Sequence, residues 1–140
     1  VSAAIGCGQF EHLDEFIKIK QNIFKTYCEG FKDIEEIEML SSPEDRVSTH
    51  WLSIMKLNNS KVTPIEIIEA LDEANIESRP IWKPMHLQPI FKDYPFVSHN
   101  ENGLSVSEEL FNTGLCLPSD SNMTEEEQQR VINIIKTLFK

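Results

Sequence analysis

Arg79-Pro80-Ile81-Trp82-Lys83-Pro84-Met85-His86-Leu87-Gln88-Pro89-Ile90-Phe91 is the stretch around which the chain is organised. Three prolines break it. Each lacks an N–H and turns the preceding residue away from helix. The segment is therefore expected to be extended, irregular chain, neither helix nor central strand. It is also unusually apolar for a connection, and a loop that carries Trp, Met, His and Phe is a candidate binding or docking surface.

The residues leading into it read as a strand–helix–strand unit. Val47 to Leu57 alternates, with Trp51, Ser53, Met55 and Leu57 on one side and Leu52, Ile54 and Lys56 on the other, so a strand is expected there. Asn58-Asn59-Ser60 is turn chemistry. Thr63-Pro64-Ile65-Glu66 starts a helix: a capping threonine, a proline at the first helical position and a glutamate that completes a capping box. Ile65, Ile68 and Leu71, with Ile67 and Ala74, make its buried stripe, and Asn75 can close it in the left-handed conformation. Ile76 to Trp82 returns as a strand, and the proline-rich loop leaves from its end.

Further out, residues 2–31 read as one long helix. Phe10, Leu13, Ile17, Phe24, Tyr27 and Phe31 form one apolar row, and Phe16, Ile19 and Ile23 a second. The small residues Ser2, Ala3, Ala4, Gly6 and Gly8 would let another backbone come close. Gly30 stands where a helix commonly stops. Residues 32–46 are an acidic, turn-rich connection. Residues 92–104 are mixed polar chain. Ser107 to Asn112 reads as a short helix with Ser107 as its cap, and Leu115-Cys116-Leu117 as a short strand stopped by Pro118. Thr124-Glu125-Glu126-Glu127 opens the last helix with a second capping box; its acids lie at the positive end of the helix dipole and Lys136 and Lys140 at the other. The fold class expected is α+β in two layers: a small, mostly antiparallel sheet of about three strands packed with helices, plus the long N-terminal helix.

One domain over residues 1–140 suits this length, and a 40% hydrophobic content can build a core. The net charge is −10, from 23 acidic and 13 basic residues. Nucleic acid and anionic membrane surfaces, which require clustered positive charge, are not expected partners. No apolar run approaches ~20 residues. The three cysteines, Cys7, Cys28 and Cys116, are far apart and form no Cys-x-x-Cys, so neither a disulfide framework nor a zinc site is expected, and a reducing cytoplasm is the expected location. The first residue is Val, so the chain is expected to be a fragment of something longer.

Within the chain there is no complete catalytic set. Phosphate-loop, Gly-x-Ser-x-Gly and His-Glu-x-x-His patterns are missing from the sequence. Gly6-Cys7-Gly8 lacks the third glycine and the preceding strand of a dinucleotide site. His12, beside Glu11 and Asp14, reads as a solvated residue; His50 and His99 have no evident partner. His86 is singled out only by its neighbours. Cys116, between two leucines, reads as a buried structural thiol. The Glu35-Glu36-Ile37-Glu38 run reads as a helical or capping charge cluster.

Three ordered motifs carry a resemblance. Ser2-Ala3-Ala4-Ile5-Gly6-Cys7-Gly8-Gln9-Phe10-Glu11-His12-Leu13-Asp14 resembles the helix that opens the C-terminal segment of DegT/StrS-type sugar aminotransferases. The Arg79–Pro89 run resembles the arginine, proline and histidine loop of that family, most of all in members that aminate UDP-linked 4-keto-6-deoxy sugars. Gly114-Leu115-Cys116-Leu117-Pro118-Ser119 resembles the family's Gly-Leu-x-Leu-Pro turn before the last helix.

The resemblance implies a fold-type I enzyme that uses pyridoxal phosphate, with its Schiff-base lysine on a large N-terminal domain that this chain does not contain. The chain would then be the C-terminal small domain. No cofactor is expected on it alone and no catalytic residue within it. Its partners would be its own large domain, the nucleotide-sugar substrate and the amino donor, with a homodimer as the full-length form. Substrate contacts are expected from Arg79, Trp82, Lys83 and His86. Arg79 or Lys83 would meet the diphosphate or the donor's carboxylate, Trp82 would cover a sugar face or exclude water, and His86 would donate to a sugar hydroxyl or phosphate. The ordinary alternatives are core packing for Trp82 and a surface ion pair for Arg79. Two other functional readings remain beside it: a naturally separate nucleotide-sugar-binding or interaction module, and a stand-alone enzyme.

Overall fold

The computed structural model describes residues 1–99 and 103–140. Nine regular elements follow in order: α1 (Ser2–Phe10), α2 (Leu13–Phe31), β1 (Ile37–Met39), β2 (Ser53–Leu57), α3 (Pro64–Glu73), β3 (Arg79–Pro80), α4 (Val106–Thr113), β4 (Gly114–Leu117) and α5 (Glu125–Thr137). The fold class is α+β, with a small antiparallel sheet packed by helices. The sheet has four strands in the order β1-β2-β4-β3, and every neighbouring pair is antiparallel. Ser53 lies opposite Leu117, and Arg79 opposite Cys116. Strands β2 and β3 both run against β4, which lies between them. The β2–α3–β3 unit is thus a split crossover that leaves a gap for the later strand.

The core follows from the period-two pattern of β2, where Ser53, Met55 and Leu57 are buried and their neighbours are not. Met55 and Leu57 meet Tyr27 and Phe31 of α2, Ile67 and Leu71 of α3, and Val131, Ile132 and Ile135 of α5. Strand β4 is central, and all four of its residues are buried. Leu115 and Leu117 belong to the core cluster. Helix α4 approaches the opposite face, where Lys56 pairs with Glu109 at 2.7 Å. Both expected capping boxes form, at Thr63–Glu66 and Thr124–Glu127. Asn75 adopts φ 58°, the left-handed geometry expected after α3.

Several elements differ from the sequence expectation. The N-terminal helix is interrupted at Glu11–His12, where His12 leaves helical geometry at φ −107°, ψ 6°. Helix α1 buries none of its residues, so no packing holds it in line with α2. Strand β2 begins at Ser53, not Val47, because His50 turns the chain with φ 47°. The acidic connection contains β1, an edge strand whose Glu38 accepts from Asn58 Nδ2 at 2.8 Å. Only Arg79 and Pro80 of the expected Ile76–Trp82 strand pair with β4, and Pro80 has no N–H to extend the ladder.

The proline-rich loop is not wholly extended: Met85–Leu87 and Pro89–Phe91 are single 3₁₀ turns. Pro84 and Pro89 precede or open these turns, where a fixed φ favours a helical start. Helix α4 is capped by Ser105, not Ser107; Ser105 and Glu108 form a reciprocal box. Gly30 lies inside α2, and a Cβ there would come within 2.7 Å of Ile132 Cδ1. Its smallness admits α5. Part of the expected polar segment 92–104 lies outside the described residues.

Candidate functional site: a groove on the outer face of the sheet

The Gly114–Ser119 motif builds the floor. Ser119 ends it and is buried. Its hydroxyl accepts from Ser53 N at 3.0 Å and donates to the Leu117 carbonyl at 3.0 Å. Lys20 Nζ donates to the Ser119 carbonyl, and the Tyr27 hydroxyl to the Pro118 carbonyl at 2.8 Å. Burial pushes the Tyr27 phenol well above its ordinary value, so it stays protonated and donating. The turn after β4 is thus bolted to α2.

Against this floor lies a groove of about 640 Å³, lined by residues that include Leu52, Ile81, Phe111, Cys116, Leu117 and Pro118. That volume suits a small-molecule site. Cys116 is buried, and burial raises its thiol pKa. It is therefore poorly suited to nucleophilic attack. Ser78 Oγ, also part of the lining, is buried with no hydrogen-bond partner among the described residues.

Three of the four candidate residues stand around the groove. Arg79, on β3, is exposed and holds the Glu77 carboxylate, with Nε and Nη2 at 2.8 and 2.5 Å from one oxygen. Trp82 follows, 63% exposed, and Lys83 is exposed beside it. His86 is not part of this lining. Its ring stacks on Phe96 at 3.6 Å between centroids, and Nε2 lies 3.6 Å from Glu108 Oε1. The same Glu108 carboxylate is held below the usual range chiefly by the Ser105 N–H and hydroxyl, with a smaller contribution from His86. One carboxylate therefore connects the cap of α4 to the loop.

Sequence reasoning missed Trp51. The expected alternation put it on the same side of a strand as Ser53, Met55 and Leu57, the side that the structure buries. It is instead 65% exposed, lines the groove, and stacks on Trp82 with centroids 6.1 Å apart and planes inclined by 24°. The signal was there: these are the chain's two tryptophans, both next to segments rich in turn and proline chemistry.

The DegT/DnrJ/EryC1/StrS aminotransferase family model matches residues 1–136. The chain belongs to this family. EpsN of Bacillus subtilis strain 168, assigned by name to the pyridoxal phosphate-dependent aminotransferases, is 42% identical over 99% of this chain and 35% of its own length. GDP-perosamine synthase of Caulobacter vibrioides is 27% identical over 94% of this chain and 35% of its own. Among solved structures, DesV of S. venezuelae shares the fold at a TM-score of 0.85 and 19% identity, over 99% of this chain and 36% of that one. The chain thus spans about a third of the length of the relatives it matches.

Family membership implies pyridoxal phosphate. The described lysines do not suit the imine that holds that cofactor. An imine-forming lysine must be desolvated to be reactive at neutral pH. Among the described residues no lysine is buried; of the three half-buried ones, Lys20 and Lys56 are committed to the Ser119 carbonyl and to Glu109, and Lys136 lies in the last turn of α5, outside the groove lining. The described residues therefore include no buried lysine that could hold the cofactor as an imine.

Proposed function

We propose that this chain is the C-terminal small domain of a pyridoxal phosphate-dependent sugar aminotransferase. In the whole enzyme, an amino group, from glutamate, passes to a UDP-linked keto-deoxy sugar for polysaccharide or glycan biosynthesis. The chain alone is inactive. The amino-transfer chemistry belongs to the cofactor and the large domain, and this domain binds and covers the substrate. Arg79 and Lys83 attract the diphosphate or the donor's carboxylate, and Trp82 closes the groove to water. His86, whose Nε2 lies 3.6 Å from Glu108 Oε1 and has no hydrogen-bond partner among the described residues, donates to a sugar hydroxyl or phosphate. The large domain packs on α1 and α2, and the working form is a homodimer.

The observation that carries this proposal is the family match along residues 1–136 in a chain only a third as long as its relatives, with no buried lysine among the described residues. Names of relatives point to nucleotide sugars as the substrate class: GDP-perosamine synthases and a dTDP-4-amino-4,6-dideoxy-D-glucose transaminase.

The test is a graft. This chain replaces the matching third of EpsN, and transamination of a UDP-linked 4-keto-6-deoxy sugar by glutamate is followed. Activity in the graft, with none from the chain alone, is expected. A folded, cofactor-loaded graft without activity, or turnover by the chain alone, would overturn the proposal.

A further inference from the structure

Trp51 and Trp82 are large aromatic side chains left about two-thirds in water, although either would normally be covered. Their rings stack at the groove's mouth, 6.1 Å between centroids, and together they leave a large aromatic area in solvent. Trp51 is held from behind. His50, immediately before it, takes a left-handed φ of 47°, its N–H donates to Ser48 Oγ at 3.0 Å, and its ring lies on Phe24 at 3.8 Å with planes 14° apart. A non-glycine residue in this conformation needs surrounding support, and such support is common where a site is pre-organised. The rim beside the indoles carries Arg79 and Lys83 against one carboxylate, Glu77, in a chain whose net charge is −10. An aromatic platform next to a locally cationic rim fits a planar ring joined to an anion.

We propose that the Trp51–Trp82 pair seats the nucleobase of a nucleoside diphosphate, with Arg79 and Lys83 facing the diphosphate. This rests on the small-domain reading above and assigns the nucleotide end of the substrate to this chain. A sugar ring fits the groove less well. Sugar hydroxyls require several hydrogen-bond partners, and beside the indoles Leu52, Ile81, Phe111, Leu117 and Pro118 supply none from their side chains; the polar ones, Ser78 and Ser119 with the charged rim, are fewer. A base needs only a face, since every base can stack on an indole. The sugar then extends past the rim, away from the floor.

The two tryptophans are the only ones in the chain, so their fluorescence reports this site alone. The chain is titrated with UDP, uridine and inorganic pyrophosphate. UDP is expected to quench saturably and uridine to quench more weakly. Pyrophosphate should leave the emission unchanged. Trp51→Ala should weaken UDP binding, followed through Trp82, by about tenfold. Arg79→Gln should weaken UDP and leave uridine unaffected. Far-ultraviolet circular dichroism confirms that each variant is folded. Absence of saturable quenching by UDP, or unchanged UDP affinity in folded Trp51→Ala, would overturn the proposal. In the active EpsN graft, Trp51→Ala should raise KM for the nucleotide sugar more than it lowers kcat. An active graft indifferent to Trp51 removes the base platform and keeps the aminotransferase reading. Quenching by UDP beside an inactive graft removes the aminotransferase reading and keeps the platform.

Discussion

A methyl group at Gly114 would lie 2.7 Å from the Leu110 carbonyl oxygen and against the Ile81 side chain. The backbone there is extended, at φ −112°, so space alone demands glycine. Gly114→Ala is expected to destabilise the fold by about 1–3 kcal/mol, read as a lowered midpoint of urea unfolding. Tyr27 gives a second test. Its folded pKa is raised above the ordinary 10.0. Stability is therefore intact below that value and falls as pH rises above it, because the unfolded chain releases the phenolic proton first. Tyr27→Phe should lose about 1 kcal/mol at neutral pH and show a shallower alkaline decline in thermal midpoint. At this scale the sequence made Asn75 and Cys116 legible, since each has a local chemical signature. Trp51 was hidden because a single left-handed residue, His50, undid the alternation on which its placement rested.

Local chemistry also governed which elements could be foreseen. The Thr63 and Thr124 boxes were readable because the cap and its glutamate lie three residues apart. For α4 two serines compete, and Ser105 wins because Glu108 reciprocates, whereas the residue three after Ser107 is Leu110. Strand β1 and the shortness of β3 were not readable, because pairing with β2 and β4 decides them and local propensity does not. Glu66, Glu108 and Glu127 are all held below the usual carboxylate range, first by the backbone N–H of their cap residues. Their stabilisation is full above the ordinary 4.5 and is lost as pH falls through the lower folded values. Replacing the three glutamates with glutamine should flatten the acid limb of the stability curve, measured by circular dichroism. An unchanged limb would assign acid sensitivity elsewhere.

For the whole molecule, α1 is the outlying feature: Ile5 is 61% and Phe10 75% exposed, and none of the described residues covers them. The expected wide apolar face meets the core only in its later part, from Ile19, which is partly buried, to Phe31. The earlier part leaves apolar side chains exposed. The isolated chain should therefore self-associate at high concentration, and Ile5→Ser with Phe10→Ser should reduce this in sedimentation velocity. Strictly monomeric behaviour of the unmodified chain would contradict that view of α1. Among the described residues, no helix is long and apolar enough to cross a membrane. The small-domain role is tested most directly by reading the native coding DNA upstream of Val1. An in-frame segment roughly twice this chain's length, as its relatives' proportions require and carrying a lysine set to form a Schiff base, is the expected result. A start codon immediately before Val1 would contradict the small-domain role and leave a separate module with a nucleotide-sized groove.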